Sequence, residues 1–342
     1  MRNSLYLISL SIALASCASQ QPAKKNSTKP KTPLSKVTQP AKPTTPSLPK
    51  QQISQEDNHD FFRVNIGDVS KNDNTISYGS IVSAKPQGYK VVKTFFPAVA
   101  QNFRQKYIIL HYTALDDDKS VTVLTQQSVS AHYLVNNLGD RDIYQLVDEN
   151  KRSYHAGISA WRNDKMLNDT SIGIEIVSPG YVADASGQRV FPDFDQHQMK
   201  KVDALVKDIA DRYMIPATNI LAHSDIAPTR KSDPGPKFPW KKLYDDYQIG
   251  MWYDEATKQG FYDQIIPETY AVEMTTAQFI YKYQAALKTL GYGLEPSGTY
   301  DDATKKTVEA FQFHFRPEKY DGVMDAETWA ILQALNVKYP NK

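Results

Sequence analysis

Residues 223–236 read HSDIAPTRKSDPGP, and this stretch carries more information about the chain than any other. It places an imidazole, an ammonium and a carboxylate within eleven positions, and the Pro-Gly-Pro that follows predicts a stiff loop. Upstream, the strand-like run YIIL at residues 107–110 leads directly to a second imidazole, His111. Together with His223 and Asp233 it forms a ligand set that suits zinc and leaves one tetrahedral position open for water.

The apolar pattern in the middle of the chain predicts an α/β arrangement. Residues 196–213 carry apolar side chains at helical spacing, and Pro216 is expected to end this helix before a short strand. We assign the helix to core packing. Strands are predicted at residues 107–111, 132–137, 142–147, 172–178 and 219–223.

Chain length and net charge indicate the number of domains and the class of partner to expect. A chain of 342 residues fits two domains and a tail better than one small domain. The formal net charge of +2 gives no reason to expect a nucleic acid as partner.

The N-terminus resembles a lipoprotein signal. The apolar stretch at residues 5–14 is too short to span the ~30 Å hydrocarbon core of a bilayer, but it fits a secretory signal. LASC at residues 14–17 resembles a lipobox, in which cleavage after residues 1–16 leaves Cys17, the single cysteine, as the lipidated first residue. The alternative is a signal peptide with an incidental cysteine. Ala18 favours the outer membrane, with the protein facing the periplasm of the cell envelope.

Residues 17–56 form a predicted disordered tether rich in lysine and proline. This segment has too few large apolar residues to offset its ordering entropy. At ~3.1 Å per residue in extended polyproline geometry, it reaches on the order of 100 Å. Its lysines serve either solubility or attraction to acidic lipid and wall polymers.

Six short motifs stand in order between about residues 90 and 250. They are HYTA at 111–114, SAHY at 130–133, HAG at 155–157, IGIEI at 172–176, AHSD at 222–225 and KSDPG at 231–235. The set resembles the zinc-dependent N-acetylmuramoyl-L-alanine amidases of the type-2 family, which share a fold with peptidoglycan recognition proteins. The resemblance implies a mixed central β-sheet flanked by helices, one Zn2+ ion, and hydrolysis of the amide between N-acetylmuramic acid and L-alanine in peptidoglycan or its fragments.

The resemblance also implies roles for five residues. The metal ligands are His111, His223 and Asp233. Glu175, which the strand alternation turns away from the isoleucine face, matches a carboxylate beside the metal-bound water and would transfer protons if burial raises its pKa. Lys231 stands two residues before Asp233, so in an extended loop its ammonium faces the metal centre and stabilises an oxyanion. The alternatives for these two are an ordinary solvated carboxylate and lysine.

Four further residues are predicted at the cleft. His155 matches a family position near the cleft and is expected to support a ligand or contact substrate. Tyr112 and Trp161 present aromatic faces that suit a sugar or peptide groove, with simple packing as the alternative. Arg230 points away from Lys231 by alternation, so we expect it to be structural or to lie at the substrate rim.

The C-terminal part contains an internal repeat. GTYDDAT at 298–304 and GVMDAET at 322–328 both follow the pattern G-x-x-D-x-x-T, in which Asp301 and Asp325 are predicted helix N-caps. With a preceding helix closed by Gly291, they predict a small all-α domain of three helices. This part resembles the type-1 peptidoglycan-binding domain, which would raise the local substrate concentration. We therefore expect a zinc amidase domain at residues 57–262 and a binding domain at 263–342.

Two alternatives to an amidase remain in view at this point. One is a non-catalytic peptidoglycan-binding protein of the same fold, although such receptors typically lack a metal ligand. The other is a zinc D,D-carboxypeptidase. Its S-x-H-x-x-G-x-A-x-D pattern begins at residues 130–132 but then fails, because Val135, Asn137 and Gly139 occupy the Gly, Ala and Asp places.

Overall fold

The computed structural model describes residues 86–90, 102–185, 187 and 189–341, all within one compact unit. The predicted signal peptide, Cys17 and the tether at 17–56 lie outside the described residues. Within the described ranges, none of the helices combines the length and apolar character needed to cross a bilayer.

The central element is a five-stranded mixed sheet with the order β3-β2-β6-β1-β9. Strands β2, β6, β1 and β9 run parallel to one another, and β3 pairs antiparallel at the edge. The pairs β4–β5 and β7–β8 form two separate hairpins. The described strands are β1 (Tyr107–Tyr112), β2 (Tyr133–Val135), β3 (Tyr144–Gln145), β4 (Ala160–Trp161), β5 (Asp164–Lys165), β6 (Ser171–Ile176), β7 (Val182–Ala183), β8 (Arg189–Val190) and β9 (Ile220–Ala222).

The middle strands are apolar because both faces of the sheet are covered. Ile108, Ile109 and Leu110 on β1 are fully buried, as are Ile172 and Ile174 on β6. Burying a side chain of this size contributes roughly 1.5–3 kcal/mol, and near-continuous apolar runs are what a covered parallel sheet requires. Because β2, β6, β1 and β9 run parallel, their carboxyl ends lie at the same edge of the sheet.

Helices flank the sheet and follow it. They are α1 (Asp117–Gln126), α2 (Gln196–Tyr213), α3 (His223–Ile226), α4 (Trp240–Tyr247), α5 (Glu255–Tyr262), α6 (Pro267–Glu273), α7 (Ala277–Leu290), α8 (Asp302–Phe315) and α9 (Ala326–Lys338), with 3-10 turns at Leu167–Asp169 and Ala217–Asn219. The predicted core helix is α2. It begins at Asp195, whose side chain accepts hydrogen bonds from the amides of His197 and Gln198, and it buries Val202 and Val206.

The C-terminal helices α7, α8 and α9 form the predicted bundle, and the two predicted caps are confirmed. The Asp301 side chain accepts from the amide of Thr304 at 2.8 Å, and that of Asp325 accepts from the amide of Thr328 at 3.0 Å. The repeat also includes a buried glutamine on the preceding helix. The side-chain amide of Gln284 donates to Thr304 Oγ1 at 2.7 Å, and that of Gln312 donates to Thr328 Oγ1 at 3.2 Å, so each repeated threonine is bonded to a glutamine of the preceding helix.

The bundle packs directly against the sheet domain, and the two share one apolar core. The amide of Arg162, next to β4, donates to the carbonyl of Gly291 at 2.7 Å, and Trp161 pairs with Tyr292 through an isolated β-bridge. The bundle is therefore docked onto the α/β part within the compact unit.

Candidate metal centre and active site

Three donor atoms converge at the carboxyl edge of the sheet. The Nδ1 atoms of His111 and His223 lie 2.9 Å apart, and Asp233 Oδ2 lies 3.0 Å from the first and 2.9 Å from the second. His111 is near the end of β1 and His223 directly follows β9, which is the parallel neighbour of β1. Sheet topology thus brings together two histidines that are 112 residues apart.

The donor set fits a zinc ion. Bonds of roughly 2.0–2.1 Å in a tetrahedral site place ligand atoms about 3.3 Å apart, close to the observed separations. Burial, followed by the neighbouring His223, lowers the pKa of His111 to about 4. Burial opposes ionisation of Asp233, but His223 and His111 together hold the pKa of its carboxyl below the usual range. Neutral imidazole and ionised carboxylate are the protonation states that bind metal.

The ring of His223 is fixed from behind by the loop 155–158. Its Nε2–H donates to the carbonyl of Ala156 at 3.2 Å, which leaves Nδ1 facing the other two donors. Arg230 donates to the same carbonyl at 3.0 Å and to that of Ile158 at 2.6 Å. Arg230 therefore secures the loop that orients His223, while its exposed side chain also lines the cleft.

The ring of His111 is fixed by His155. His155 Nδ1 lies 2.9 Å from His111 Nε2, and its own Nε2 lies 3.0 Å from Ser171 Oγ. Because the Ser171 hydroxyl donates to the carbonyl of Leu167 at 2.6 Å, His155 Nε2–H donates to Ser171 and His155 Nδ1 accepts from His111. Both ring nitrogens of His155 are thus engaged in holding the ligand.

Gly173 makes room for this arrangement. A Cβ atom at this position would lie 2.4 Å from Cγ of His155, so a side chain is excluded there. The amide of Gly173 also donates to Nδ1 of His132, whose Nε2 lies 3.0 Å from the carbonyl of Lys151. His132 is therefore a buried, hydrogen-bonded core residue.

Glu175 and Lys231 both line the cleft that contains the three donors. Glu175 lies in register with His111 on the neighbouring strand. Burial, followed by the charge of Asp233, raises the pKa of Glu175 to about 8, and Lys231 acts in the opposite direction. Its Oε2 atom is buried and has no hydrogen-bond partner among the described residues. Lys231 is exposed and lines the same cleft.

The cleft above the centre has a volume of about 370 Å³ and an aromatic wall. Tyr112 is part of this wall, and its hydroxyl lies 3.0 Å from Ser232 Oγ. Two further tyrosines, Tyr154 and Tyr181, line the cleft with about half of their surface exposed. Sequence reasoning missed both. The Pro-Gly turn before Tyr181 was a signal for a loop at the end of β6, but not for its direction.

Trp161 does not line the cleft, so its predicted place in a substrate groove is wrong. It is fully buried, and its Nε1–H donates to the carbonyl of Thr218 at 2.9 Å. The ring packs edge-to-face on Tyr292 with centroids 5.1 Å apart. The indole ring packs in the interface between β4 and the C-terminal bundle.

Comparison with known proteins identifies the class. Residues 101–236 match the N-acetylmuramoyl-L-alanine amidase family model, and residues 276–332 match a peptidoglycan-binding domain model. The chain is 41% identical to N-acetylmuramoyl-L-alanine amidase AmiD of Escherichia coli over 258 residues, which cover 74% of this chain and 90% of that protein. The chain therefore belongs to the N-acetylmuramoyl-L-alanine amidase family.

Two solved structures agree with this assignment. One is the complex of E. coli AmiD with anhydro-N-acetylmuramic acid-L-Ala-D-gamma-Glu-L-Lys, with a TM-score of 0.66 and 39% identity over 75% of this chain and 97% of that one. The other is AMPDH3 from Pseudomonas aeruginosa with an anhydromuramic pentapeptide, with a TM-score of 0.60 and 40% identity over 76% of this chain and all of that one. The predicted family, fold class and enzyme class are confirmed, and the receptor and carboxypeptidase alternatives are set aside.

Proposed function

We propose that this protein hydrolyses the amide between N-acetylmuramic acid and L-alanine, using zinc held by His111, His223 and Asp233. The observation that carries the proposal is the convergence of these three buried donors within 2.9–3.0 Å of one another, beside Glu175. When bound, zinc supplies an activated water and polarises the amide carbonyl.

Glu175 is the proposed proton carrier. Its carboxyl group lies beside the three donors, where burial raises its pKa above the ordinary carboxyl value, so we propose that it accepts a proton as water attacks and delivers it to the departing nitrogen of L-alanine. An amine is a poor leaving group unless it is protonated. A carboxyl group whose pKa lies near neutrality serves both steps, because it gains and loses the proton with similar ease.

Lys231 is the proposed oxyanion stabiliser. The ammonium lies at the cleft and acts electrostatically on both His111 and Glu175. Negative charge develops on the carbonyl oxygen during attack, and a fixed cation there lowers the barrier. His155 and Arg230 hold the ligands and the loop, while Tyr112, Tyr154 and Tyr181 offer rings on which a muramyl sugar or stem peptide packs.

The substrate class follows from the relatives and the cleft. Both solved relatives bind anhydromuramyl peptides, so we propose that muropeptides enter this cleft as well. We also propose that the bundle within residues 263–342 binds peptidoglycan beside the amidase domain at 57–262. Cys17 would carry the lipid that anchors the protein in the outer membrane, with the tether at 17–56 reaching the wall.

Mass spectrometry of muropeptides after digestion tests the reaction. The expected products are stem peptides with a free L-alanine amino terminus and muramic acid without peptide, and a chelator should abolish both. Release of D-alanine alone, or unchanged muropeptides, would contradict the proposal. For the anchor, Cys17→Ala should yield a protein that fractionates away from membranes.

A further inference from the structure

The C-terminal bundle contacts Asp225, a residue that holds the turn carrying His223. This residue lies two positions after His223 in α3 and is fully buried. Its Oδ2 atom accepts a hydrogen bond from the amide of Ala222 at 2.9 Å, the residue that directly precedes His223. Asp225 thereby closes the turn that presents His223 to the other donors.

Two residues of the bundle also donate hydrogen bonds to Asp225. The hydroxyl of Tyr292 donates to Oδ1 at 2.7 Å, and Nδ1–H of His314 donates to Oδ2 at 2.7 Å. Both donors are only 1% exposed. Hydrogen bonds to a carboxylate in such a buried setting are short and strong, and leaving the carboxylate without them is costly.

Packing holds both donors in place. The ring of His314 stacks on Trp240 with centroids 3.9 Å apart and planes inclined by 17°. The ring of Tyr292 packs on Trp161, which lies just after the loop whose Ala156 carbonyl accepts from His223. The turn that carries His223 and the strand β4, which follows the loop, are thus both in contact with the bundle.

We propose that Tyr292 and His314 are positioning residues for the metal centre. They fix Asp225, and through it the turn that carries His223, so that the bundle is a structural part of the active site as well as a binding module. The inference rests on the proposed zinc site. Tyr292 and His314 act through Asp225 and do not contact the substrate.

The test measures zinc affinity of the full chain by competition with a chelator. Tyr292→Phe removes only the hydroxyl, and His314→Phe keeps a ring against Trp240 but removes the donor. The double variant should bind zinc about 10–100-fold more weakly, as is typical when partners of a metal ligand are removed. The absorption spectrum of the cobalt-substituted protein should change in parallel, because the ligand geometry changes.

Tyr270→Phe is the matched control. Tyr270 is a buried tyrosine of the same bundle, and its hydroxyl donates to the carbonyl of Met324 at 2.8 Å. It should lower thermal stability without changing zinc affinity. His314→Asn, which places an N–H near the position of Nδ1, should bind zinc within a few-fold of the wild type.

The outcomes separate the two proposals. Unchanged zinc affinity in the double variant, with stability lowered as in Tyr270→Phe, would overturn the positioning role and reduce the contact to domain docking. If the double variant does not fold, Tyr292→Phe is judged by the same criterion. A wild type that binds no zinc would instead contradict the proposed function.

Discussion

His111 and Glu175 stand opposite each other in the parallel pairing of β1 and β6. One is a proposed ligand and the other the proposed proton carrier, and the register of two strands fixes the distance between them. Rigid strands position such groups more accurately than loops do. The register therefore places the proton acceptor beside the metal centre before substrate binds.

Glu175→Gln should retain zinc and lose turnover. The amide is close in shape to the carboxyl group but cannot accept the proton, so we expect kcat to fall by roughly 10²–10⁴-fold. Elemental analysis of the same preparation shows whether zinc is still bound. Activity within a few-fold of the wild type would contradict the proton-transfer role.

In the metal-free protein, the contribution of Glu175 to stability should decrease as pH rises. Its folded-state pKa of about 8 exceeds the ordinary value of 4.5, so between these pH values the unfolded chain releases a proton that the folded chain keeps. The free energy of unfolding of the wild type minus that of Glu175→Gln should therefore decrease across this window, by on the order of a few kcal/mol.

Urea unfolding of the chelated wild type and of Glu175→Gln at several pH values measures this effect. Groups other than Glu175 titrate in both proteins, so the difference between the two curves isolates its contribution. A difference that does not change between pH 5 and 8 would mean that the carboxyl group titrates normally.

Lys231→Met should lower kcat with little change in zinc content. Loss of one oxyanion donor typically costs roughly 10²–10³-fold in turnover. Lys237→Met is the matched control, since Lys237 lies on the same loop but pairs with Asp193 at 2.9 Å. Equal activities for the two variants would show that Lys231 is an ordinary surface lysine.

Gly173→Ala should weaken zinc binding although residue 173 is not a ligand. The added methyl group would meet the ring of His155 at 2.4 Å, and the displaced ring would release His111. Overpacking of this kind costs roughly 1–3 kcal/mol in stability.

Gly260→Ala is the control for Gly173→Ala, because a Cβ atom at Gly260 meets nothing within 4 Å. Its zinc affinity and stability should be close to those of the wild type or slightly improved. A Gly173→Ala protein that binds zinc normally would show that His155 is not needed to hold His111.

Features that depend on residues close together in the chain could be predicted from the sequence. Helix α2 follows apolar spacing and an N-cap, and Asp301 and Asp325 cap their helices because a carboxylate satisfies free amides wherever it precedes a helix. The motif at 223–236 predicted the convergence of His223 and Asp233 because both lie on one short stretch of chain.

Long-range docking was not predictable from the same rules. Asp225 meets Tyr292 and His314, which lie 67 and 89 residues away, only because the bundle docks on the sheet domain. The same docking buries Trp161, whose aromatic ring suits a groove equally well. Exposure of Tyr181 at the cleft likewise depends on the direction of a loop, which periodicity does not encode.

Anomalous diffraction at the zinc edge, from crystals of the wild type equilibrated with zinc, shows whether these residues hold the metal. We expect a single strong peak bounded by His111 Nδ1, His223 Nδ1 and Asp233 Oδ2, and no such peak in Asp233→Ala. A wild-type map without density between these three atoms, or a peak that persists in Asp233→Ala, would contradict this expectation.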